Sequence, residues 1–75
     1  MNFAVLGFYP GKDELVFEQS INLSIKDLMP LMLWTDNTDY IGADFKLSKT
    51  QIIEIGRLAS LAFPAELDFY LTSTE

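Results

Sequence analysis

This chain has neither a covalent staple nor a strong metal staple available to it, because its 75 residues include no cysteine and no histidine. A domain of such length buries only about 60–65% of the surface its unfolded form exposes, so without disulfides or zinc it depends on its core composition. The composition meets that demand: 49% of the residues are hydrophobic, with six phenylalanines, three tyrosines and one tryptophan among them. The same absences exclude thiolate zinc and a cysteine nucleophile, and remove the commonest general base and transition-metal ligand. One folded domain over residues 1–75 is predicted, since no repeat or linker divides the chain and the composition is not that of disorder.

Local patterns then place five elements. Asn2 to Tyr9 is mostly apolar and β-prone, and "YPGKDE" supplies Pro10-Gly11 as turn chemistry. In "ELVFEQSINL", Leu15, Phe17, Ile21 and Leu23 share one parity, with Gln19 the polar exception. Glu14, Glu18, Ser20 and Asn22 take the other parity, with Val16 out of pattern, so the two segments read as a β-hairpin. Ser24 with Asp27 forms a short-armed capping box, and Leu23 with Leu28 a hydrophobic staple. Pro30 makes the helix over Ile25 to Trp34 short, bent or late-starting. A second helix starts at "LSKTQI", where Ser48 and Gln51 form a capping box and Leu47 and Ile52 a staple. Ile52, Ile55, Leu58, Ala59 and Ala62 give it an apolar face, Gly56 allows close packing against the sheet, and Pro64 ends it. Finally, "ELDFYLTS" sets Leu67, Phe69 and Leu71 against Glu66, Asp68, Tyr70 and Thr72, a last strand.

The predicted fold class is therefore α+β in the order β-β-α-α-β, a three-stranded antiparallel sheet with two helices on one face. The last strand has two options, pairing with the first or with the second. Pairing with the first places that continuously apolar strand at the centre and gathers Glu14, Glu18, Glu66, Asp68 and Tyr70 on the outer face.

Eleven acidic against five basic residues give a net charge of −6. Such a field repels nucleic acid and anionic membranes and favours basic protein partners. No basic stripe points to nucleic acid. No basic segment leads into an apolar run at the N-terminus, and the apolar runs are broken at Pro30, at Trp34-Thr35-Asp36 or at Pro64. A cytoplasmic protein without a membrane span is the expectation.

The stretch from Trp34 to Phe45 carries the clearest functional signal. It superficially suggests a calcium loop, but counting from Asp36 the sixth position is Ile41 and the twelfth Leu47. Counting from Asp39 gives Asp44 and Thr50, so the glycine and bidentate glutamate of an EF-hand are missing in both frames, and no metal is expected. Glu66 and Asp68 are a conceivable acid–base pair, yet an exposed strand face needs polar residues anyway, and no cofactor or catalysis is expected. Trp34 and Phe45 can close the end of the core while the aspartates solvate a connection. Alternatively, aromatic anchors ringed by charge form a recognition surface, with Asp36, Asp39 and Asp44 meeting cations around Tyr40. Trp34, Asp36, Asp39, Tyr40 and Asp44 thus compete with Glu66, Asp68 and Tyr70 on the outer sheet face as the partner-binding residues.

The run from "FAVLGFYPGKDELVFE" through an interrupted helix to "LSKTQIIEIGRL" and "LDFYLT" resembles, over nearly the whole chain, small immunity proteins encoded beside bacterial polymorphic toxins of the contact-dependent growth inhibition type. The resemblance is one of layout and assigns no individual residue. It implies an antitoxin that binds a cognate toxin domain, most plausibly a nuclease, and blocks its active site or substrate entry. The alternative from another class is a structural or adaptor module acting through oligomerisation, a homodimer for example, or through sheet-edge pairing.

Overall fold

The computed structural model describes residues 2–34 and 44–74. The elements are β1 (Asn2–Phe8), β2 (Leu15–Ile21), α1 (Ile25–Met32), β3 (Phe45–Lys46), α2 (Lys49–Ala59) and β4 (Asp68–Thr74). The class is α+β, as predicted, but the sheet has four strands rather than three, in the spatial order β2-β1-β4-β3. All neighbours are antiparallel, and β1 lies between β2 and β4. The added strand is a two-residue ladder, Phe45 and Lys46 against Leu71 and Tyr70, extended by the Leu47 N–H donating to the Phe69 carbonyl at 2.9 Å. Two residues are too few to show an alternation, which is why the segment reads as loop in the sequence.

The hairpin turn follows its chemistry. Pro10 and Gly11 occupy the middle of a turn closed by the Lys12 N–H to the Tyr9 carbonyl at 2.9 Å, and Gly11 has φ +76°. That is the pattern of a type II turn, in which the third residue needs the left-handed freedom of glycine. The pairing slips between Gly7 and Phe8: Gly7 faces Phe17, but Phe8 faces Leu15, so Val16 is an extra residue in a β-bulge. The bulge overturns the parity reading for Leu15. Facing Phe8, it lies on the outer side and is 45% exposed.

Both helices begin as predicted. Ser24 Oγ accepts the Asp27 N–H at 3.2 Å and Asp27 Oδ2 accepts the Ser24 N–H at 2.9 Å. The backbone and hydroxyl hydrogen bonds from Ser24 hold the Asp27 carboxyl below its ordinary range. In α2, Ser48 Oγ accepts from the Gln51 N–H at 3.1 Å and Gln51 Oε1 accepts from the Ser48 N–H at 2.8 Å. The Gln51 amide also donates to the Leu31 carbonyl at 3.3 Å, serving one of the carbonyls that the last turn of α1 leaves without a helical partner.

Their ends were less legible. Each helix closes on a non-glycine residue in the left-handed region, Leu33 at φ 59° and Ser60 at φ 58°. The next N–H reaches back five residues, Trp34 to Met29 at 3.0 Å and Leu61 to Gly56 at 2.8 Å. These are Schellman-type closures. Thus α2 ends at Ala59, before Ala62 and well before Pro64, which is not the stop. Leu33 is strained without compensating burial, since it is 83% exposed. Leu33→Gly is expected to stabilise the fold by about 0.5–1 kcal/mol and raise the thermal midpoint by roughly 3–5 °C in a calorimetric scan.

The core draws on both helices and one face of the sheet. Phe3, Val5, Ile21, Phe69 and Leu71 from the strands pack with Leu28, Trp34, Leu47 and Ile55.

Candidate interaction surface

Because side chains alternate across a strand, burying Phe3, Val5, Phe69 and Leu71 under the helices turns Ala4, Leu6, Phe8, Asp68, Tyr70 and Thr72 to the other face. Register then assembles them. Leu6 stands between Glu18 and Tyr70, Ala4 between Ser20 and Thr72, and Phe8 between Leu15 and Asp68. The Phe8 and Tyr70 rings meet edge to face, with centroids 5.7 Å apart. The result is an apolar stripe on a face that no described element covers, with Glu18 exposed at one margin and, at the other, half-buried Asp68 and the exposed Lys46 that pairs with Tyr70.

At one end of the stripe lies an open groove of about 420 Å³, lined by Phe8, Gly11, Lys12, Asp13, Asp44, Asp68 and Tyr70. Three carboxylates face one ammonium there. Among the described residues no three of His, Cys, Asp and Glu gather in a metal-binding cluster.

At Asp44, the two surfaces that compete in the sequence reading touch. Asp44, from the loop, shares the groove with Asp68 and Tyr70, from the strand. Glu66 does not line this groove. It lies exposed in the turn before β4 and lines an apolar hollow of about 370 Å³ with Pro10, Ile52, Ile53, Phe63 and Pro64, a hollow that Asp68 also borders. Glu66 and Asp68 thus do not share one strand, because β4 starts at Asp68. Trp34 is 8% exposed and packs against Phe45 at 5.2 Å and Phe3 at 6.2 Å between centroids. It closes the core and offers no side chain to a partner. Asp36, Asp39 and Tyr40 lie outside the described residues.

Sequence reasoning missed Leu6, Phe8 and Asp13. The signal for the first two was present: β1 is apolar at both parities, while the predicted helices cover a single face. A central strand of that kind leaves an uncovered apolar stripe. Among the described residues no helix is long and apolar enough to cross a membrane. Compared with protein-family profiles, with characterised proteins and with solved structures, the chain matches none of them.

Proposed function

We propose that this chain is a protein-binding inhibitor, an immunity protein that neutralises a basic toxin domain by seating the outer face of its sheet over the toxin's active site or substrate entry. The observation that supports this reading most is the half-buried Ala4–Leu6–Phe8–Tyr70 stripe, which no described element covers, with its mainly acidic margin. Recognition surfaces commonly combine an apolar centre with a polar rim, and tyrosine is a frequent anchor. The stripe supplies the centre, and Glu18, Asp13, Asp44 and Asp68 supply a rim in which carboxylates outnumber the two cations, Lys12 in the groove and Lys46 across from Tyr70.

The physical logic is competition. A nuclease presents cations to a phosphate backbone, and an acidic domain can occupy the same cations. Long-range charge speeds encounter and weakens with salt, while burial of Tyr70 and Phe8 slows departure. Nothing in such a mechanism requires catalytic groups on the inhibitor. Two copies would each bring a net charge of −6, so a basic partner is preferred over a second copy.

The test begins with capture of the tagged chain from its native host under low-salt and high-salt washes, with mass spectrometry of what remains bound. The expected partner is a stoichiometric basic domain from the end of a large secreted protein, released by salt. Asp68→Lys with Tyr70→Ala is then expected to weaken its binding at least 100-fold by calorimetry, roughly 3 kcal/mol, with the fold retained. Unchanged affinity in that double variant would remove the outer face from the contact. A bait recovered alone as a dimer would replace the inhibitor reading with a self-assembling module.

A further inference from the structure

The hydrogen-bond phase of the sheet determines which backbone groups its free edge presents. In an antiparallel sheet the N–H and C=O of a residue point to one side, and that side alternates along the strand. The Phe69 carbonyl accepts from Leu47, so Phe69 turns its backbone toward β3. Its partner Gly7 accordingly turns toward β2, where it faces Phe17. Followed along the register, Phe17, Gln19 and Ile21 aim their backbone groups at β1, whereas Glu18 and Ser20 aim theirs away from the sheet. β2 is the outermost strand, so among the described residues no strand receives them.

The side chain of Gln19 supports this phase. Its amide Nε2 donates to the Ser20 carbonyl at 2.9 Å, and a carbonyl turned toward β1 would already hold a ladder bond. The contact also accounts for the one polar residue at a core parity of β2: Gln19 is half-buried at the rim, and its flexible amide reaches the edge. A neighbouring side chain thus holds the acceptor that an added strand would use.

We propose that the β2 edge is a strand-addition site for an extended basic segment of the partner, which pairs with the outward groups of Glu18 and Ser20 and displaces the Gln19 amide. This rests on the reading of the chain as an inhibitor of a basic protein and deepens it. Added strands gain affinity from main-chain bonds and selectivity from alternate side chains. Residues 14–21 carry two carboxylates and no cation, and Leu15 and Val16 beside them are 45% and 40% exposed. A segment alternating lysine or arginine with aliphatic residues sets cations across from Glu18, and opposite charges across strands are favourable. A second copy of this chain fits less well. The antiparallel register that overlaps all of β2 with its own copy places Glu18 directly opposite Glu18 of that copy, and each chain carries a net charge of −6.

The probe is a capped synthetic peptide of alternating lysine and valine, titrated into the isotope-labelled full chain and followed by backbone amide shifts. Two independent controls target the edge. Ser20→Pro removes an outward N–H without touching the ladder to β1, the setting in which a strand tolerates proline. A peptide N-methylated on alternate residues removes the matching donors and leaves the protein unaltered. The expected result is that the Glu18 and Ser20 amides shift most and gain exchange protection, with binding about tenfold weaker in either control. Shifts confined to Ala4, Leu6, Phe8 and Tyr70, with equal affinity in both controls, would overturn strand addition and leave the outer-face reading in place. Absence of binding would likewise overturn it, and so would dimerisation of the chain through Glu18 and Ser20. The capture experiment judges the inhibitor reading separately in each case.

Discussion

Leu28→Ala is expected to cost about 3 kcal/mol and to lower the thermal midpoint by roughly 15 °C. Leu28 is fully buried, and no other residue of α1 is as deeply placed. The helix has eight residues and includes Pro30, which offers no N–H to the Lys26 carbonyl. A helix that short is not stable on its own propensity, so its apolar contacts hold it in place. Alanine would leave a cavity under the helix, in the core cluster that also holds the fully buried Val5, Leu71 and Ile55. A domain of this size commands only about 4–11 kcal/mol in total, so the loss is a large share of it. The single tryptophan, Trp34, reports the transition, because it lies in the same core. Urea titration by Trp34 fluorescence should show a lower midpoint with an unchanged slope. A loss below about 1 kcal/mol would mean that α1 is not docked through Leu28.

Gly56→Ala reverses the usual sign. In an exposed helix interior alanine is favoured over glycine by about 1 kcal/mol. Here an added Cβ would stand 2.7 Å from the Leu61 carbonyl oxygen, a backbone atom that cannot simply swing aside. The same turn is closed by the Leu61 N–H on the Gly56 carbonyl at 2.8 Å, so relieving the clash also loosens the helix end. A net destabilisation of about 1–2 kcal/mol is expected in chemical denaturation. A more stable variant would show that the chain after α2 is free to move away. The same close approach corrects the sequence expectation, in which Gly56 admits the sheet: it admits the returning chain at Leu61, with the Phe63 ring 3.6 Å away.

Tertiary closeness of this kind separates what was legible from what was not. Both capping boxes were readable, because each is a contract between a serine and a residue three positions on. The Pro10-Gly11 turn was readable for the same reason. The left-handed closures at Leu33 and Ser60 were not, since neither is the glycine or asparagine that normally marks such an end. Gln19 was visible as an exception but not explicable, because its partner is an edge that exists only once β2 has been placed outermost.

The candidate surface divides in the same way. Asp68 and Tyr70 were identified by alternation alone, and Asp44 by its place in an aromatic and acidic loop. Their meeting in one groove with Asp13 and Phe8 was not predictable, because three separate segments converge there. Trp34 could equally close the core or anchor a partner when read from sequence. Contact with Phe3 and Phe45 decided for the core.

By itself, then, the sequence determined the α+β class, both helix starts, the hairpin turn, the supply of apolar core residues and the acidic character of the molecule. Each depends on composition or on residues within a few positions of one another, where propensity and capping act directly. The tertiary structure alone decided the fourth strand, the bulge that turns Leu15 outward, the tolerance of Gly56 and the stripe beside β2 that no described element covers. Those features depend on which distant backbone groups pair and on which face the helices cover, and such choices are settled by packing across the whole chain.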